Sequence, residues 1–141
     1  MLPRTLLFGV ALLLIAASCG EDEGAGTNEE MRTIRVTALD ELTFDPSSIE
    51  VEVGATVRFV VSNASETEHE FVVGDEEMQE MAEEQAMQGE HGHVEAMASL
   101  SLAPGETKET TITFEQPGEL LYGCHVTGHY DGGMVGTILV R

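Results

Sequence analysis

The segment Tyr122-Gly123-Cys124-His125-Val126-Thr127-Gly128-His129-Tyr130-Asp131-Gly132-Gly133-Met134 sets a thiol, an imidazole and a thioether at Cys124, His129 and Met134, five residues apart each time. A thiolate and imidazoles in a trigonal set, with a long, weak axial thioether, is the ligand chemistry of a mononuclear electron-transfer copper. Such a site needs a second imidazole from elsewhere in the chain. His69 is the best placed, because it follows a polar turn and leads into Glu70-Phe71-Val72-Val73, which would anchor it in a core. The competing imidazoles are His91, His93 and His125, the last of which directly follows the cysteine and is expected to point away from the metal. Cu(I) prefers soft, sulfur-rich, low-coordinate sites and Cu(II) prefers tetragonal nitrogen and oxygen, so a rigid compromise lets the ion change oxidation state with little ligand movement. A filled set also lacks the open position that hydrolytic or oxygen-activating metals require, so catalysis is not expected.

Side chains this far apart in sequence need a rigid scaffold to converge. Apolar residues alternate with polar ones over residues 34–38, 49–53 and 57–61, the period of half-buried strands. Further strands are expected over 69–73, 99–102, 108–114, 119–124 and 135–140. Asp45-Pro46-Ser47, Gly54, Ser62-Asn63-Ala64-Ser65, Pro104-Gly105 and Pro117-Gly118 supply turn chemistry between them. The fold class is therefore all-β: an antiparallel Greek-key β-sandwich or barrel of about eight strands. Residues 75–88 break the pattern with strong helix formers, an N-capping Asp75 and acids in the first turn, predicting a short helical insertion. Met78, Met81, Ala82 and Gln85 would form its narrow packing stripe.

The pattern Cys-x4-His-x4-Met after Tyr122-Gly123, with His69-Glu70-Phe71 upstream, resembles the cupredoxin family of small blue copper proteins, of plastocyanin and azurin type. Its ligand spacing is similar to that of rusticyanin and the plantacyanins, and its inserted helix resembles periplasmic cupredoxins linked to copper resistance. The resemblance implies one type 1 copper ion held by His69 and His129 through Nδ1, by the Cys124 sulfur and by Met134 axially. It also implies that the amide of Glu70 donates a hydrogen bond to the thiolate. A binuclear copper centre would need a second thiolate where Gly128 stands, and a multicopper oxidase a histidine where Gly123 stands.

Residues 1–18 read as a lipoprotein-type signal peptide, with Arg4, an apolar run over 6–17 and small residues directly before Cys19. The run is shorter than the ~20 residues that span a bilayer. Cys19 is thus the expected lipidation site, residues 19–31 an acidic linker, and residues 32–141 the globular domain with its insertion over 75–98. An ordinary signal peptide releasing a soluble secreted or periplasmic protein is the alternative. Lipidated Cys19 would leave Cys124 unpaired in an oxidising compartment, where a lone thiol is a hazard unless it has a role.

The chain has 141 residues, 26 acidic against 6 basic, for a formal charge of −20. That balance excludes nucleic acid as a partner and favours a redox partner with a basic docking face, such as a cytochrome or an oxidase. The length accommodates one compact domain and rules out a two-domain enzyme. The insertion adds Met78, Met81, Met87, His91, His93 and Met97, either packing and solvated surface or a looser secondary copper-loading site. The leading expectation is a lipid-anchored carrier of single electrons on the bacterial envelope. The alternative is a protein that sequesters or handles copper for resistance.

Overall fold

The computed structural model describes residues 31–89 and 95–141. The expected signal peptide, the lipidation site Cys19 and almost all of the linker lie outside them, as do His91 and His93. Among the described residues no helix is long and apolar enough to cross a membrane.

Among the described residues, nine strands and one helix follow in the order β1 (Arg32–Leu39), β2 (Thr43–Asp45), β3 (Ser48–Val51), β4 (Thr56–Asn63), β5 (His69–Gly74), α1 (Glu76–Met87), β6 (Ala98–Leu102), β7 (Thr107–Thr113), β8 (Gly118–Gly123) and β9 (Val135–Val140). They form a four-stranded sheet, β2-β1-β4-β7, facing a five-stranded sheet, β3-β9-β8-β5-β6. The expected sandwich is present with one strand more, the three-residue β2, which is too short to show a period. Two pairings depart from the antiparallel expectation: β1 with β4 and β3 with β9 are parallel. The reason is the path of the chain. After β1 and β2 it crosses to the other sheet as β3 and returns as β4 beside β1, so no tight hairpin forces the directions to oppose.

The inward residues of both sheets make one core. Val36, Val57, Phe59, Val61, Phe71, Phe114, Tyr122 and Ile138 are essentially inaccessible to solvent. Phe44, Phe59, Phe71, Phe114 and Tyr122 form a chain of tilted and edge-on ring contacts with centroids 5.3 to 6.3 Å apart, geometries that favour aromatic pairs beyond simple burial. The Tyr122 hydroxyl donates to the carbonyl of Pro46 at 2.5 Å, tying β8 to the β2–β3 turn. This rigid wall supports the strand end that carries Cys124.

Helix α1 begins as the sequence predicts. The Asp75 carboxylate accepts from the N–H of Met78 at 2.9 Å, and Glu76 and Glu77 occupy the first turn. Asp75→Ala is expected to cost about 1 kcal/mol, read as a lower denaturant midpoint at an unchanged slope. The packing face agrees with the expected stripe at Ala82 and at the half-buried Met78 and departs from it elsewhere. Gln79 and Ala82 are buried, Met81 is 40% exposed, and Gln85 lies only at the margin. A glutamine takes the innermost position, where its amide donates to the main-chain carbonyls of Val72 and Leu121.

Candidate metal centre

Three of the ligands sit where a strand begins or ends, and His129 lies in the loop between two of them. Cys124 directly follows β8, His69 opens β5, and Met134 directly precedes β9. The loop between Cys124 and Met134 is closed on itself by main-chain bonds. The Cys124 N–H donates to the Met134 carbonyl at 3.1 Å, the Met134 N–H to the His129 carbonyl at 3.0 Å, and the His129 N–H to the Val126 carbonyl at 2.8 Å. Gly128 and Gly133 take φ values of 81° and 95°, which let the chain turn tightly on either side of these ligands.

The side chains of His69, Cys124 and His129 converge, with one ligand atom from each lying within 4.8 Å of the others. The Cys124 Sγ is 3.8 Å from His69 Nδ1 and 3.4 Å from His129 Nδ1. Ligands ~2.0 Å (N) and ~2.3 Å (S) from one ion in a trigonal plane would sit ~3.7 Å apart, so the donor set fits a single metal ion through both Nδ1 atoms. Met134 is fully buried, its position fixed by its two main-chain bonds to the cysteine and histidine of the same loop. His69 is also fully buried, with its Nε2 3.5 Å from the Thr67 hydroxyl, whereas His129 keeps partial access to solvent.

Burial raises the Cys124 thiol to about 11, and the carboxylates of Glu70 and Glu83 add to the rise. The amides of Glu70 and Val126 oppose it. The Glu70 N–H lies 3.2 Å from Sγ and donates to it, in the role assigned to it above. Burial holds the His69 imidazole below its ordinary value, helped by neighbouring His129 and opposed by Asp40. The site thus holds a neutral imidazole and a protonated thiol until a cation displaces the proton.

Two arrangements had no counterpart in the sequence reading. Asn63, buried at the end of β4, donates through Nδ2 to the carbonyls of Thr67 (2.7 Å) and Leu102 (3.0 Å). Its Oδ1 accepts from both the N–H and the hydroxyl of Ser65 at 2.9 Å. This knot shapes the loop that delivers His69. The second is a contact between α1 and His125, which is buried and turned away from the ligand cluster as expected. Of the insertion's methionines, Met78 packs over Gly74, Met81 and Met87 are exposed, and Met97 lines a separate cavity of about 340 Å³ with Phe114, Pro117 and Leu120.

A two-sheet β-sandwich whose strand ends gather two histidines, a cysteine and a methionine is a cupredoxin with a type 1 copper site. The chain belongs to the copper binding proteins of the plastocyanin/azurin family, which it matches over residues 32–141. It is 37% identical to the copper-resistant cuproprotein CopI of Rubrivivax gelatinosus, over 78% of this chain and 67% of that protein. The CopI of Pseudomonas aeruginosa is 31% identical, with 100% of this chain and 97% of that protein covered. Among solved structures, auracyanin from Roseiflexus castenholzii is similar at a TM-score of 0.69 and 25% identity, covering 77% of this chain and 96% of that one. The "blue" copper protein auracyanin A from Chloroflexus aurantiacus is similar at 0.69 and 26%, covering 77% and 98%.

Proposed function

We propose that this protein handles copper outside the cytoplasm as part of copper resistance, holding one ion at His69, Cys124, His129 and Met134. The observation that carries this reading is the convergence of a buried thiol and two imidazole Nδ1 atoms in a chain 37% identical to a copper-resistant cuproprotein. In this reading His69 and His129 would hold the ion through nitrogen, Cys124 through its thiolate and Met134 through its thioether. When bound, copper supplies a one-electron couple. The chain holds the ligands in place from loops closed by main-chain hydrogen bonds, and so limits their movement between oxidation states. The signal-like apolar run within residues 1–18 and the Cys19 that follows support an extracytoplasmic address and a lipid anchor in the bacterial envelope.

The test is genetic complementation. A strain lacking the gene should become copper-sensitive, with resistance restored by the wild-type gene and not by His69→Ala or His129→Ala. Unchanged copper tolerance in the deleted strain would overturn the resistance role.

A second reading, single-electron transfer between proteins, is favoured by the similarity to auracyanin and by the partly exposed ring of His129, which offers a short route from the metal to a partner. The charge of −20 suits a partner with a basic docking face, such as a cytochrome or an oxidase.

A further inference from the structure

We propose that Gln79 and Glu83 are positioning residues for the copper centre, acting through the residues on either side of Cys124, so that the inserted helix is part of the scaffold that fixes the thiolate. This rests on the copper-site reading above. Gln79 is fully buried. Its Nε2 donates to the carbonyls of Val72 on β5 (2.9 Å) and Leu121 on β8 (3.2 Å), bridging the two strands just before Cys124 leaves the sheet. That fixes which way the amide faces and leaves Oε1 to accept from the ring of His125, whose Nε2 is 2.8 Å away. The other ring nitrogen, Nδ1, is 2.8 Å from Glu83 Oε2. One turn of α1 therefore holds both nitrogens of the residue that follows Cys124.

The residue before the cysteine is held by the same elements. A Cβ on Gly123 would lie 2.6 Å from Gln79 Oε1 and 2.7 Å from the Tyr130 ring, so the chain passes through a slot that only glycine fits. Tyr130 closes the slot by stacking on His125, with ring centroids 4.7 Å apart and planes 23° apart. Because Tyr130 directly follows His129, the stack also joins the helix contact to the second half of the ligand loop. A helix that only covered the sheet would present apolar side chains. Beside Ala82 and Met78, α1 presents two hydrogen-bonding groups, both satisfied and both directed at the segment whose middle residue is the thiolate ligand.

The experiment compares wild type with Gln79→Ala, Glu83→Ala and Glu83→Gln, each loaded with Cu(II) and each as apo protein. Both alanine variants are expected to shift the visible thiolate-to-copper band and the copper hyperfine splitting in EPR. Glu83→Gln, which keeps a hydrogen-bonding group at the same reach, restores the wild-type spectra. In the apo protein, amide exchange at Cys124 and Val126 should quicken by about tenfold in Gln79→Ala. Glu84→Gln, on the exposed side of the same helix, serves as the control and changes nothing. Spectra of folded Gln79→Ala and Glu83→Ala that superimpose on wild type overturn the proposal while leaving the copper site standing. Should Gln79→Ala not fold, Glu83→Ala decides, since its side chain lies at the helix edge. A wild-type protein that develops no visible band overturns the copper reading, and this proposal with it.

Discussion

Cys124→Ser is expected to abolish the intense visible band of the copper-loaded protein and to weaken copper binding by on the order of 100-fold or more, since loss even of an outer-shell partner costs 10- to 100-fold. The band arises from charge transfer out of a thiolate, which a hydroxyl cannot supply, and serine is a poor ligand for Cu(I). The fold should survive. Cys124 is one small residue in a wall made by Phe44, Phe71 and Tyr122, and the amides of Glu70 and Val126 that point at its sulfur can donate to a hydroxyl instead. Unchanged far-ultraviolet circular dichroism beside a lost visible spectrum is the result that assigns the effect to the metal.

The same residue sets the pH dependence. The apo thiol titrates at about 11, raised by burial, and must lose its proton to bind copper. His69 is held below its ordinary value, so it is already neutral well under that pH and contributes no proton there. Between about pH 8 and 10, above the range where free imidazole titrates, apparent affinity should therefore rise about tenfold per pH unit. That slope should disappear in Cys124→Ser. A competition titration against a chelator of known affinity reads both effects, and a flat profile for wild type would show that the thiol is not the proton source.

How far the sequence carries differs between the loop and the scaffold, for physical reasons. Cys124, His129 and Met134 are legible because one loop carries all three, and loop spacing survives as sequence spacing. His69 is legible only through its anchor, the apolar run after it, since nothing local says that β5 lies beside the end of β8. Strands such as β1 and β4 show as period-two alternation because each has one face on the core, whereas β5 is buried on both faces and shows only as an apolar run. Which strands pair is not written in that period, so the parallel β1–β4 and β3–β9 contacts could not be read. The helix was legible from its cap and its acids. Its buried face was legible only in part, because Gln79 is inside for the sake of the Val72 and Leu121 carbonyls and the His125 ring, and a rule that looks for apolar stripes passes over it.

Asn63 ends β4 in a turn, as its sequence context indicates, but it does more than turn the chain, and its substitution gives the largest expected effect on stability. In sequence, Ser62-Asn63-Ala64-Ser65 is turn chemistry. In the structure Asn63 is 2% exposed and makes four side-chain hydrogen bonds, to Thr67, Leu102 and twice to Ser65. Asn63→Ala would remove the partner of each of these groups without letting water reach them all, and leaving buried polar groups unpaired costs more than the bonds themselves contribute. Destabilisation of about 3 kcal/mol is expected, large for a change that buries no charge and opens only a small cavity. The effect should also reach the metal site. Thr67 accepts from Asn63 through its carbonyl and faces His69 Nε2 through its hydroxyl, so loosening the knot frees the ring that the fold has aimed at Cys124. Asn63→Ala should therefore weaken copper binding as well as lower the melting temperature. Asn63→Asp separates the two halves of the knot: it keeps the acceptor for Ser65 and loses the donors to Thr67 and Leu102. If His69 is held through Thr67, the aspartate variant should show the copper defect in full. If it binds copper as wild type does while melting lower, Asn63 serves the fold alone and His69 is positioned by β5.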